Sequence, residues 1–183
     1  MTPLLWWVDR SAGLVLLALL TGAVVTGLRS TGPRPRRGTP RFATLALHRN
    51  LALLALSLLG VHVAFAVADS YVDIRWWQAL LPATSGYRPL WVGLGTVAVD
   101  LFVAVVASSV LRHRLGLRAW RTVHLLVWPA WVLGVAHAIS LGTDLRSGAP
   151  WAVLPVCGCL LAVAAAGAAR LVALGRPQPV VAR

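Results

Sequence analysis

Five apolar runs, near residues 11–28, 43–68, 90–111, 120–142 and 151–174, constrain this chain more than any other feature. Each is long enough to cross a hydrocarbon core of about 30 Å as a helix. Inside hydrocarbon only helices and closed barrels satisfy every backbone polar group within the protein. The expected fold is therefore an all-α integral membrane bundle of five spans. With 183 residues, 58% of them hydrophobic and a mean hydropathy of +0.77, the spans and short connectors use nearly the whole chain. That reads as one transmembrane domain over residues 1–183, with no room for a soluble nucleotide-binding domain.

Charge gives the expected orientation. All seventeen basic residues are arginine, against five acids, for a formal charge of +12. In a soluble chain such an excess would point to nucleic acid, but here the arginines gather in alternate connectors. Arg29, Arg34, Arg36, Arg37 and Arg41 crowd the first, and Arg112, Arg114, Arg118 and Arg121 the third, with no acid in either. Both are expected in the cytoplasm. The 69–89 connector balances Asp69 and Asp73 against Arg75 and Arg88, the 143–150 connector balances Asp144 against Arg146, and both are expected outside. An outside N-terminus and a cytoplasmic C-terminus follow. Dense arginines after the first run, not before it, mark a retained helix instead of a cleaved signal. Trp6, Trp7, Trp76, Trp77, Trp91 and Trp151 all fall near the expected outer boundary, as an aromatic belt would. Cys157 and Cys159, about 200° apart on a helix, read as lipid-facing or core residues.

Four of the five histidines lie inside spans. His48 and His62 share the second, fourteen residues apart, and His124 and His137 share the fourth, thirteen apart. Ionisable side chains at membrane depth are costly and mark bundle interiors or functional sites. Spans two and four run the same way, and each pair is separated by roughly 20 Å of helix rise. His48 then matches His124 in depth on the cytoplasmic side, and His62 matches His137 on the outer side. Two cross-helix imidazole pairs at two depths fit two bis-histidine b-type haems. Two imidazoles alone under-coordinate zinc or copper. Fourteen residues return to within about 40° of one face, whereas thirteen leave His124 and His137 about 140° apart on a regular helix. Pro129 between them is the expected place for a change of winding. His113, between Arg112 and Arg114, reads as a solvated residue. Asp100, mid-way along the third span, is expected to face the bundle interior.

The segments LHRNLALLALSLLGVH (47–62) and WRTVHLLVWPAWVLGVAH (120–137), with YRPLWVGLG (87–95) and ISLGTDLRSG (139–148), resemble the ferric reductase-like transmembrane domain. That haem-bearing core is shared by NADPH oxidases, metalloreductases and the haem subunit of the bacterial periplasmic methionine-sulfoxide reductase system. The resemblance implies that His48, His62, His124 and His137 are axial ligands of two b haems and that the chain is the electron-transfer subunit of an oxidoreductase in a cell membrane, a bacterial plasma membrane by analogy. It departs from NADPH oxidases in ending at Arg183 with no FAD or NADPH domain. Donors expected by analogy are quinol or a separate flavoprotein, and acceptors an extracytoplasmic reductase, an FMN-bearing protein or ferric iron. The competing class is a small transporter or a proton or metal-ion relay built on the same histidines.

Overall fold

The structure is a computed structural model that describes residues 3–30, 40–69 and 72–175. The described residues contain helices and no strand. Helix α1 covers Pro3–Ser30, α2 Arg41–Ala68 and α3 Pro89–Val110. The fourth apolar run is divided into α5, Leu117–His124, and α6, Val127–Leu141. Helix α8 covers Pro150–Gly175, and two single turns, α4 at Arg112–Leu115 and α7 at Thr143–Arg146, sit in connectors. Five segments are long and apolar enough to cross a membrane: α1, α2, α3, α5 with α6, and α8. All five expected spans are present, and α3 and α8 begin on Pro89 and Pro150, whose fixed φ suits a first helical position.

Packing is unequal, and the inequality creates the site. Helix α1 lies along α2 and α8, and α3 lies along α6. Leu17 and Val24 of α1 meet Trp131 and Val135 of α6 and Val156, Cys159 and Val163 of α8 in one apolar cluster. The indole Nε1–H of Trp131 donates to Thr21 Oγ1 at 3.0 Å within it. A second cluster joins Leu16 to Ala55 and Leu59 of α2 and Phe102 of α3. Helices α2 and α6, which carry histidines, are not packed along each other, so a gap remains between the α1–α2 and α3–α6 layers.

The connectors refine the sequence expectations. Trp76 and Trp77 begin a 3-10 helix, Trp76–Ala79, whose Gln78 is buried and donates from Nε2 to Thr84 O at 2.9 Å. Trp6, Trp7 and Trp151 cluster at one end of the bundle, Trp7 and Trp151 with ring centroids 5.2 Å apart. Asp144 pairs with Arg10 of α1 at 3.2 Å, not with nearby Arg146, and ties α7 to the first helix. Cys159 is in the core and Cys157 is exposed. Arg34, Arg36 and Arg37 of the first connector lie outside the described residues.

One expectation is overturned. Asp100 does not face the bundle interior; it is exposed on the outer side of α3, as are Val103 and Ala107. Helical phase is the reason: at 100° per residue Asp100 points about 160° away from Phe102, which is buried against α1 and α2. Desolvation cost alone does not choose the buried face when Phe102, Val105 and Ser108 already fill it.

Candidate functional site

The four span histidines meet at the gap at two levels. At the level that includes the arginine-rich third connector, the rings of His48 and His124 face each other with centroids 6.1 Å apart and planes at 63°. At the other level His62 and His137 line the same cavity of about 550 Å³, which α1, α2, α3 and α6 enclose and which Asp9, Gly13, Gly95 and Phe102 also line. Phe102 stands seven residues from Gly95 and from Ser109, packed in the cluster of Ala55, itself seven residues from each α2 histidine, so an aromatic ring occupies the mid-level of the gap. His113 is exposed in α4, outside this arrangement.

Every one of the four rings presents Nδ1 to an acceptor. His48 Nδ1 lies 2.8 Å from Ala23 O, and His137 Nδ1 lies 2.9 Å from Trp91 O. A carbonyl can only accept, so both Nδ1 atoms carry the proton. His124 Nδ1 lies 3.3 Å from Ser109 Oγ. That hydroxyl gives its one proton to Val105 O at 2.8 Å and accepts from Trp120 Nε1–H at 3.3 Å, so it accepts from His124 as well. His62 Nδ1 stands 2.9 Å from Asp9 Oδ1, close enough for an ion pair yet too poorly aligned to count as a hydrogen bond. A carboxylate beside Nδ1 favours the proton there too. At His48, His124 and His137 the hydrogen-bonded nitrogen is thus Nδ1, at His62 Nδ1 is the nitrogen nearest the Asp9 carboxylate, and among the described residues no hydrogen bond reaches any Nε2. Fixing one ring nitrogen by a carbonyl or carboxylate so that the other can bind a metal is the usual outer partnership of histidine ligands.

The fourth run reaches both levels through a break. Leu125 and Leu126 separate α5 from α6 with ψ of −17° and −11°. Pro129 has no N–H for the carbonyl of Leu125, and Trp128 N–H takes that carbonyl instead at 3.1 Å, three residues on; Leu126 N–H bonds Val123 O at 3.0 Å in the same 3-10 manner. Such turns advance about 120° per residue instead of 100°. Four or five overwound residues recover roughly 80–100° of the 140° mismatch between His124 and His137. The winding departs where Pro129 implied it would.

Sequence reading missed the second layer of the site: Asp9, Ser109, the carbonyls of Ala23 and Trp91, and Trp120, whose ring lies 5.1 Å from that of His124 with Arg112 5.4 Å above it. A signal for some of it existed, because Gly13 and Gly27 are fourteen residues apart, as are His48 and His62. Among the described residues no group of three or more His, Cys, Asp or Glu could hold a metal ion.

Comparisons with known proteins agree with this architecture at the level of family. No curated protein and no solved structure matches the chain. Residues 12–135, about two thirds of the chain, match the family described as ferric reductase like transmembrane component. The matched region includes His48, His62 and His124 and stops two residues before His137, so this five-span chain belongs to the ferric reductase-like transmembrane family.

Proposed function

We propose that the chain carries electrons across a membrane through two b-type haems, one held by His48 and His124 and the other by His62 and His137. The observation that carries this reading is the cross-helix pairing of the rings at two levels, His48 with His124 and His62 with His137, each ring with Nδ1 2.8–3.3 Å from an oxygen and no hydrogen bond at Nε2 among the described residues. The donor set fits: two imidazole rings sharing one metal at roughly 2 Å from each Nε2 stand about 6 Å apart between centres, and the His48 and His124 rings stand 6.1 Å apart. A cavity of about 550 Å³ between His62 and His137 is of the size that cofactor sites have, roughly 300–1,000 Å³.

Haem b bound at both levels supplies a one-electron iron couple with no open coordination position. The protein does the rest. Ala23, Trp91, Ser109 and Asp9 orient the rings, and the Phe102 cluster lines the mid-level with apolar side chains. The arginine-bearing connector at the His48/His124 level lies on the cytoplasmic side. Electrons then arrive there from a separate flavoprotein or quinol and leave past His62 and His137 to an extracytoplasmic reductase, an FMN-bearing protein or ferric iron. In this reading residues 1–183 form one haem-binding unit of an oxidoreductase in a bacterial plasma membrane.

Purified protein is expected to show a reduced-minus-oxidised b-type spectrum and two haems per chain by pyridine haemochrome assay. Protein that folds in detergent, stays colourless and takes up no haem on reconstitution would sink the proposal and leave a histidine relay or transporter as the better reading.

A further inference from the structure

We infer that Gly13, Gly27 and Gly95 are positioning residues that let the neighbouring helix seat three of the four imidazoles with Nδ1 turned to an oxygen of that helix; this rests on the haem reading above. A Cβ built on Gly27 would lie 3.4 Å from His48 Cε1, one on Gly13 would lie 3.3 Å from His62 Cε1, and one on Gly95 would lie 2.5 Å from His137 Nδ1. A side chain at Gly95 would therefore intrude on the His137 ring, one at Gly13 would press lightly on His62, and one at Gly27 would reach ordinary contact with His48.

The acceptors are in register with these notches. His48 donates to the carbonyl of Ala23, four residues before Gly27. His137 donates to the carbonyl of Trp91, four residues before Gly95. His62 meets the side chain of Asp9, four residues before Gly13. In an α-helix the carbonyl of residue n−4 already accepts from the N–H of residue n, so it lies directly below residue n and has a second lone pair to offer, which at Ala23 His48 shares with Thr26 Oγ1 at 3.0 Å. A side chain at n covers that lone pair, and a glycine uncovers it. Gly27 of α1 and Gly95 of α3 follow this rule, whereas at Gly13, fourteen residues before Gly27, the oxygen four residues back belongs to the Asp9 side chain. On α3 the second position, fourteen beyond Gly95, is Ser109, whose own hydroxyl replaces the backbone acceptor for His124. Glycine in a helix interior costs about 1 kcal/mol relative to alanine. At these three positions the cost secures ring orientation.

The three notches differ in tightness, so their substitutions should differ. Gly95→Ala is expected to be severe, because the His137 ring is hydrogen-bonded to Trp91 and has no slack; the haem-to-protein ratio should fall from two towards one, with the His48/His124 haem retained. Gly13→Ala creates a slightly tight but adjustable contact, Gly27→Ala adds a methyl group at contact distance beside His48, and both should keep the fold. They should shift the low-temperature electron paramagnetic resonance signal and midpoint potential of one haem each, the His62/His137 haem for Gly13 and the His48/His124 haem for Gly27. Gly60→Ala, two residues from His62, and Gly158→Ala in α8 are the controls, since a Cβ there meets nothing within 4 Å.

Nitrogen-15 spectra of histidine-labelled, haem-free protein read the tautomer directly. Native protein should show His48 and His137 protonated at Nδ1, and Gly27→Ala and Gly95→Ala should lose that signature at the facing histidine alone. Unchanged tautomer, haem content and spectra in all three variants, or equal losses in the Gly60 and Gly158 controls, would overturn the inference. Native protein with the tautomer but without haem uptake would instead remove the haem reading and leave the notches standing.

Discussion

The Asp9 carboxylate stands 2.9 Å from Nδ1 of His62, whereas the other three span histidines face neutral oxygen. A carboxylate group therefore sits behind only one of the four proposed iron ligands. A carboxylate there raises the basicity of the imidazole and stabilises the oxidised metal. Asp9→Asn is expected to raise the midpoint potential of the His62/His137 haem by on the order of 50–100 mV, the size of one charge removed at several ångströms in a partly buried site. The other haem should hold its potential. Arg10, next in sequence, pairs with Asp144 at 3.2 Å. Redox titration of the two haems in the variant and native protein checks this, and equal shifts at both levels would contradict it.

Pro129 makes a second expectation specific. Pro129→Ala restores an N–H that can bond Leu125 O, returning Trp128 to the ordinary ladder and removing part of the overwinding. Helix α6 is anchored on α1 through Trp131 and Thr21, so α5 and His124 should rotate instead. Haem affinity at the His48/His124 level should fall severalfold while the His62/His137 level is kept, as measured by haem titration. Unchanged affinity at both levels would mean that Pro129 does not set the phase.

The spans, the two histidine levels and the break at Leu125–Leu126 were legible because each depends on a period or a single residue's chemistry. Hydrophobic length reports spans, helix rise reports depth, and the missing N–H of Pro129 reports a break. The partners of the rings were not legible in the same way. Ala23 and Trp91 contribute carbonyls, which every residue has, and Asp9 near the start of α1 reads from sequence as an interfacial charge. Its meeting with His62 depends on how α1 lies along α2. Asp100 shows the same limit from the other side: the residue is conspicuous, but its direction is set by which face of α3 Phe102 and Val105 bury.

Exposure of Asp100 leads to a third expectation. A carboxylate on the outer face of a span is costly in lipid, by about 2.5–3.5 kcal/mol at a helix centre on insertion scales. It makes no hydrogen bond or ion pair among the described residues and stands on the side of α3 away from the histidines. Asp100→Leu should keep two haems with native spectra and raise the thermal midpoint of the detergent-solubilised protein. Loss of either haem in that variant would show that Asp100 supports the site despite its direction.

The pairing of the histidines is the most decisive matter to test, because it separates the proposed arrangement from any in which each helix keeps its own cofactor. His48 and His124 belong to different helices, α2 and α5, yet their rings face each other at 6.1 Å, while His48 and His62, on one helix, are fourteen residues and roughly 20 Å apart. Substitutions should therefore sort by level. His62→Ala and His137→Ala should each lose the same haem and block delivery to an outside acceptor. His48→Ala and His124→Ala should each lose the other haem and stop reduction by a cytoplasmic donor. Losing a bound haem also removes binding energy from the fold, so thermal stability should drop in all four and cannot serve as the readout. Haem stoichiometry and spectra of folded, purified variants, normalised to protein, are the measurement. Variants of His48 and His62 that resemble each other more than their cross-helix partners, or four variants with full haem content, would refute the two-level arrangement.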